Sequence, residues 1–182
     1  MIGNFIADHI KGNKYQGFSK EIQQGIFLHR EIDTFTDAHA IVRKSKRRLH
    51  ERYRHYDGVI IDIFYDYFLA KNWSQYSVIP LDVYTDSINK LFNEISAELP
   101  VKSQNFIKYM IEYNILFNYQ FKDGIERVLK GMNNRTKGKS KMDLAIEDLR
   151  NLESEFEEDF TFFFKDLITN TNQKLNEIKI SI

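Results

Sequence analysis

The sequence predicts an all-α fold, and three observations carry that prediction. Only 8 glycines and 2 prolines occur in 182 residues, too few for the many tight turns of a β-sandwich. Apolar residues recur at helical rather than alternating spacing. A hydrophobic content of 42%, with 14% aromatic, lets a chain of this length bury a core rather than stay disordered. The expected architecture is a single helical domain over residues 1–182 with roughly seven or eight helices. Its polar tail, from about 170 onward, is expected to fray.

The elements follow in order. GNFIADHIKG reads as a short helix ended by Gly12. SKEIQQGIFLHREID sets Ile22, Ile26, Leu28 and Ile32 near helical spacing behind Ser19, a good N-cap. From Ala38 to Tyr56, Ala38, Val42, Ser45, Leu49, Tyr53 and Tyr56 form one stripe, with the basic residues mostly off it. DGVIIDIFYDYFLAKNW begins like a strand, but its length and the spacing of Ile60, Phe64 and Phe68 favour a buried helix. Pro80 suits the start of a helix over 81–98, followed by helices over 103–117 and 122–130, the latter stopped by Gly131. After the basic loop NNRTKGKSK, one long helix is expected from Asp143 to about Leu167. Its apolar side is Leu149, Leu152, Phe156, Phe160, Phe163 and Leu167.

The chain has no cysteine, which excludes a disulfide framework and thiolate-bound zinc. Any metal must be held by His, Asp, Glu or water. No signal-peptide pattern opens the chain and no apolar run approaches a membrane span, so a cytoplasmic protein without membrane contact is expected. Lys plus Arg equals Asp plus Glu at 26 each, but the charge is unevenly spread. Residues 38–56 hold seven basic groups and one acidic, a net of +6, while 143–166 hold nine acidic and two basic, a net of −7. The basic helix suits an anionic partner, either nucleic-acid phosphates or an acidic protein face. The bland alternative is a solvated face matched internally by the acidic C-terminal helix.

One constellation points to chemistry. In HREIDTFTD, His29, Asp33 and Asp37 are each four residues apart, and DIFYD repeats that spacing with Asp62 and Asp66. Residues four apart share a helix face. Asp62 and Asp66 sit among Ile60, Ile61, Ile63, Phe64, Tyr65 and Phe68, where carboxylates are costly unless paired or bound to a cation. A hard divalent ion takes oxygen and imidazole ligands, activates water and neutralises a phosphoryl oxygen. The structural alternatives are an Asp33 pair with Arg30 or a base of the next helix, an Asp37 cap for the helix from Ala38, and Asp62 or Asp66 paired to Arg43 or Arg47. Asp8 is a weaker candidate, and His9, His39, His50 and His55 read as surface or partly packed. Arg135 and the lysines of its loop read either as a phosphate holder or as a mobile connector. The lone Trp73 reads as core. No glycine-rich phosphate loop, nucleophile elbow or zinc-protease motif occurs.

GNFIADHIKG, GIFLHREIDTFTD, DIFYDYFLAKNW and VLKGMNNR, in this order and at these intervals, resemble the motif series of bacterial acyl carrier protein phosphodiesterases, also called ACP hydrolases. The resemblance runs from Gly3 to about Leu167, and its most specific block is His-Arg-x-Ile-Asp-x-x-Thr-Asp. It implies an enzyme related to the helical HD-type metal phosphohydrolases. Such an enzyme cleaves the phosphodiester that joins 4′-phosphopantetheine to the serine of holo-acyl carrier protein. The products are apo-acyl carrier protein and 4′-phosphopantetheine, and the reaction needs a divalent ion, typically Mn2+, with Mg2+ or another ion as substitutes. It implies His29, Asp33, Asp62 and Asp66 as the metal shell, with Asp8 and Asp37 as further ligands or catalytic groups beside it. Arg43, Lys44, Arg47, Arg48 and Arg52 would steer the acidic carrier protein in, with nucleic acid not expected, and Arg135 would pair with the arm's phosphate.

Two departures accompany the resemblance. Members carry a segment reading roughly Asn-Phe-Leu-Ala-His before the Gly-Asn motif, whereas here Met1 abuts Ile2-Gly3-Asn4, which implies a truncated or misassigned start. The adjacent His-Asp pair of ordinary HD enzymes is also absent. Two rival readings remain. One is an HD-type phosphohydrolase acting on nucleotides. The other is a non-catalytic helical module that binds an acidic partner through its basic helix.

Overall fold

In the computed structural model, which describes residues 1–7, 10–99 and 101–181, the fold is all-α, with no strand among the described residues. Ten α-helical segments are seen there: α1 (Ile2–Ile6), α2 (Lys20–Ala38), α3 (Ala40–Tyr53), α4 (Asp57–Lys71), α5 (Leu81–Ile95), α6 (Val101–Glu112), α7 (Ile115–Asn118), α8 (Lys122–Arg135), α9 (Ala145–Asn151) and α10 (Glu153–Ser181). Ser19 caps α2 by accepting from the Ile22 amide, as its sequence position predicts.

The extra helices arise where expected ones break. Asn114, at φ 45°, ends α6 and sets off α7, splitting the helix expected over 103–117. Leu152, at φ −123° and ψ 27°, divides the expected C-terminal helix into α9 and α10. Gly131 does not stop α8. It adopts no positive φ, and the turn comes instead at Lys137, Gly138 and Lys141. That loop is pinned rather than loose: Ser140 is buried and hydrogen-bonds through its hydroxyl to Asn133 and Thr136. The tail expected to fray continues α10 to Ser181, because α10 lies along α2, where Lys174 pairs with Glu31 at 3.7 Å.

Two apolar clusters form the interior. The larger joins α3, α4, α8, α9 and α10 around Leu49, Phe64, Phe68, Leu129, Leu149, Phe156 and Phe160. The smaller joins α1, α2, α5 and α6 around Ile6, Ile26, Ile88, Phe92 and Ile107. Each such side chain contributes about 1.5–3 kcal/mol when fully buried. Trp73 belongs to neither cluster. It is only partly buried, which corrects its assignment to the core; its Nε1–H donates to the Ile79 carbonyl at 2.7 Å.

The acidic C-terminal helix is matched to the basic helix from inside the fold. Asp159 of α10, only 2% exposed, accepts hydrogen bonds from Lys44 at 2.9 Å, Ser45 at 2.8 Å and Arg48. Ser45 also hydrogen-bonds the Tyr65 hydroxyl of α4 at 2.9 Å. Burial alone would raise the Asp159 pKa, but the three donors outweigh it and hold the carboxyl below its ordinary range. Glu153 at the start of α10 is pushed down to about 2: burial opposes ionisation, and donors from Lys122, Tyr67 and Lys71 overcome it.

Both carboxyl groups therefore contribute stability that is present above their unfolded pKa and lost as pH falls through the folded values. Unfolding should set in between pH ~4 and ~2, read by circular dichroism against pH. Asp159→Asn leaves two cations facing a neutral amide and should cost about 3–5 kcal/mol, so a chain that melts like the parent would refute this role for Asp159.

Candidate active site

The site begins where α1 crosses α2. Gly3 and Gly25 let the two backbones meet: a Cβ on Gly3 would lie 2.0 Å from the Ile22 carbonyl oxygen, and one on Gly25 would lie 3.0 Å from the Asn4 nitrogen. That approach places Asn4 against His29, one turn beyond Gly25. The His29 Nδ1 lies 2.8 Å from Asn4 Oδ1, and its Nε2 lies 3.1 Å from Asp33 Oδ2. Both ring nitrogens are thus engaged, and the imidazole orients Asp33. Asn4 was not singled out from the sequence. Its only signal is its place beside a glycine that needs a facing glycine.

Helix α4 supplies the second half. Ile60, Phe64 and Phe68 are fully buried on one side. At 100° per residue, Asp62 and Asp66 fall on the opposite side, and both open to solvent. Neither carboxylate makes a hydrogen bond or ion pair with any described residue. Arg43 and Arg47 do not reach them, and Arg30 donates to the carbonyls of Ile10 and Gly12 rather than to Asp33. Lys46, another residue the sequence did not point to, pairs with Asp37 at 2.9 Å and packs over Gly58. Asp37 is not a helix cap: α2 runs past it, and His39 caps α3 by accepting from the Ile41 amide. Asp8 lies outside the described residues.

The electrostatics bind these groups into one site. Water reaches Asp62 and Asp66, but the protein packed around them thins their hydration. That loss is the largest influence and lifts the Asp62 carboxyl to about 6; Lys46 opposes it, while Asp37 and Asp33 add to it. Asp66 is lifted to about 7, first by lost hydration and then by the Asp62 charge. The donor chemistry, carboxylate oxygens from two helices in mutual repulsion, fits a hard divalent cation. The described donors stand in pairs: no group of three or more His, Asp or Glu among the described residues converges on one ion position.

Tyr119 is a further residue that sequence reasoning missed, hidden in the aromatic run LFNYQF. With Asp66 it lines a mainly apolar cavity of about 150 Å3. On its other side it lines a groove that holds Arg135, Tyr109, Val128 and Met132. Burial, then the Asp66 charge, raises its phenol well above the ordinary range. Arg135 has no acidic partner among the described residues; its guanidinium lies 3.7 Å from Met132 Sδ. Of the basic helix, Lys44 and Arg48 are held by Asp159, and Arg52 by Asp148 at 3.1 Å. Arg43 and Arg47 are exposed and make no ion pair among the described residues.

The raised carboxyl groups carry a sign opposite to that of Asp159. Their contribution to stability is fully present below the unfolded pKa near 4 and is lost as pH rises through about 6 to 7. Melting temperature in EDTA should therefore fall between pH 4 and 7. The double variant Asp62→Asn, Asp66→Asn should flatten that fall and melt higher than the parent at pH 7.5. A double variant that melts lower at that pH would show the two carboxylates to be structural.

Comparison with known proteins gives these residues a setting. The family model for acyl carrier protein phosphodiesterase matches residues 1–167. The chain is 29% identical over 157 residues to the acyl carrier protein phosphodiesterase of Klebsiella pneumoniae strain 342, covering 86% of this chain and 80% of that protein. It is 32% identical over 134 residues to the protein of that name from a second Klebsiella pneumoniae strain, with 73% and 69% covered. It is 27% identical over 178 residues to the one from Salmonella agona, with 96% and 91% covered. No solved structure matches the chain. With the match running through α1, α2, α4 and α8, which carry the site, the chain belongs to the acyl carrier protein phosphodiesterase family.

Proposed function

We propose that this chain hydrolyses the phosphodiester between 4′-phosphopantetheine and the serine of holo-acyl carrier protein, releasing apo-carrier protein and 4′-phosphopantetheine, with a divalent cation, Mn2+ first, at the α2–α4 carboxylates. The observation that carries this reading is the state of Asp62 and Asp66. Helix α4 buries most of its side chains and presents two carboxylates on its open side, and no described cation forms an ion pair with them. Solvent-side carboxylates are ordinary on an amphipathic helix, but these two repel each other and are raised toward neutrality, a cost that a bound cation would remove.

Each residue has a task. Asp62 and Asp66 hold the cation, and Asp33 of α2 supports them under the orientation set by His29 and Asn4. When bound, the cation activates water and neutralises charge on the phosphoryl oxygens. Asp37, tied to Lys46, borders the site and keeps that ammonium beside it. Arg135, without an acidic partner among the described residues, takes a phosphate oxygen pair. Arg43 and Arg47 face outward and attract the acidic carrier protein, a task Lys44, Arg48 and Arg52 share less because internal carboxylates hold them.

The test is a mass spectrum of holo-acyl carrier protein incubated with the chain and Mn2+, with and without EDTA. The expected result is metal-dependent loss of one arm. Removing an outer partner of a metal site costs about 10–100-fold, so Asp62→Ala or Asp66→Ala should cost more than about 100-fold in turnover. Near-normal turnover in either variant refutes the assignment. Saturating Mn2+ should also raise the melting temperature by about 5–10 °C, and the double asparagine variant should lose that rise. Arg43→Glu with Arg47→Glu should raise KM, leave kcat in place, and matter less at high salt. Turnover of free nucleotides without carrier protein would favour the nucleotide hydrolase instead.

A further inference from the structure

The family-like segment DIFYDYFLAKNW contributes more than its two carboxylates. Asp66, Leu69, Ala70 and Trp73 stand at i, i+3, i+4 and i+7 on one face of α4 and its extension, and all four line the 150 Å3 cavity. Thr85 of α5 and Leu116 of α7 also line it. A mainly apolar cleft of this size has room for a benzene-sized apolar group. Its wall is rigid: Trp73 is fixed by its hydrogen bond to the Ile79 carbonyl and by the Tyr84 ring at 4.6 Å. Asp66 is the one carboxylate at its edge, and Asp62 lies a helical turn, about 6 Å, further along α4.

We infer that this cavity receives the branched dimethyl carbon of the pantetheine arm, the apolar group next to the ester oxygen that binds phosphorus. The inference rests on the phosphodiesterase reading, since that reading sets phosphorus beside Asp62 and Asp66. In the arm, a methylene joins the phosphate oxygen to a carbon bearing two methyl groups, so an apolar knob follows directly on the charged group. The protein offers the matching sequence of surfaces: carboxylates, then an apolar cavity one turn along. The outward continuation fits as well. A second groove of about 360 Å3 shares Ala70, Trp73 and Leu81 with the cavity and is edged by Ser74, Ser77 and Gln120, suitable partners for the arm's amides. The cavity is too small for a fatty acyl chain, which hangs from the far end of the arm.

Trp73 is the only tryptophan, so its fluorescence reports the cavity directly. The protein, with Mn2+ present, is titrated with 4′-phosphopantetheine and with an analogue whose two methyl groups are replaced by hydrogen. The natural arm should shift Trp73 emission and bind about 10-fold more tightly than the analogue. Ala70→Leu, which fills the cavity, should weaken the natural arm to the level of the analogue and leave the analogue unchanged. Equal binding of both ligands to the parent protein, or natural-arm binding without a Trp73 response, overturns the cavity assignment while leaving hydrolysis of the carrier protein intact. Preference for the dimethyl ligand in a protein that never cleaves holo-carrier protein would support the cavity and remove the phosphodiesterase reading.

Discussion

Asp159 is the carboxylate on which the arrangement of the larger helical cluster depends. A charge held at 2% exposure is tolerable only when donors surround it, and Lys44, Ser45 and Arg48 supply them from successive turns of α3. That fixes α3 against α10. Ser45 passes the constraint on to Tyr65, which fixes the rotation of α4 about its axis. With Ile60, Phe64 and Phe68 turned into the core, Asp62 and Asp66 have no direction left but outward. The exposure of the candidate catalytic carboxylates is thus a consequence of a buried one.

A second constraint is steric. The Gly3–Gly25 approach admits no Cβ, and it lets Asn4 reach His29. A chain of contacts runs from α1 through His29 to Asp33, whose charge then acts on Asp62 of α4. Positioning is precise on one side because backbones touch and on the other because a helix is locked in rotation. Among the described residues only the Lys46 charge offsets the rise at Asp62, and the two carboxyl groups are lifted to about 6 and about 7. Local instability of this kind is common where a ligand supplies the missing charge.

The local geometry of the candidate site could be read before the fold was known. The four-residue spacing of His29, Asp33 and Asp37, and of Asp62 and Asp66, is a local property of a helix, and local geometry survives folding. The basic helix shows the limit. Its seven cations suggested a broad docking face, yet Lys44, Arg48 and Arg52 turn to carboxylates more than 90 residues away. Pairing across such a separation has no signature in spacing. Trp73 failed for a related reason: size and hydrophobicity suit a core and a pocket wall equally, and only the Ile79 and Tyr84 contacts separate them.

The sequence by itself determined the helical class, the faces of α2 and α4, the cap at Ser19 and the carboxylate pairs, because each depends on residues within a turn or two of one another. The tertiary structure decided the breaks at Asn114 and Leu152, the persistence of α8 past Gly131 and of α10 past Leu167, and the packing of α1 on α2 and of α3 on α10. It also decided which cations stay free of ion pairs among the described residues, and it made a cavity beside Asp66 from the same face of α4. Those outcomes depend on which surfaces meet after collapse, and a surface distant in sequence leaves no periodicity to read.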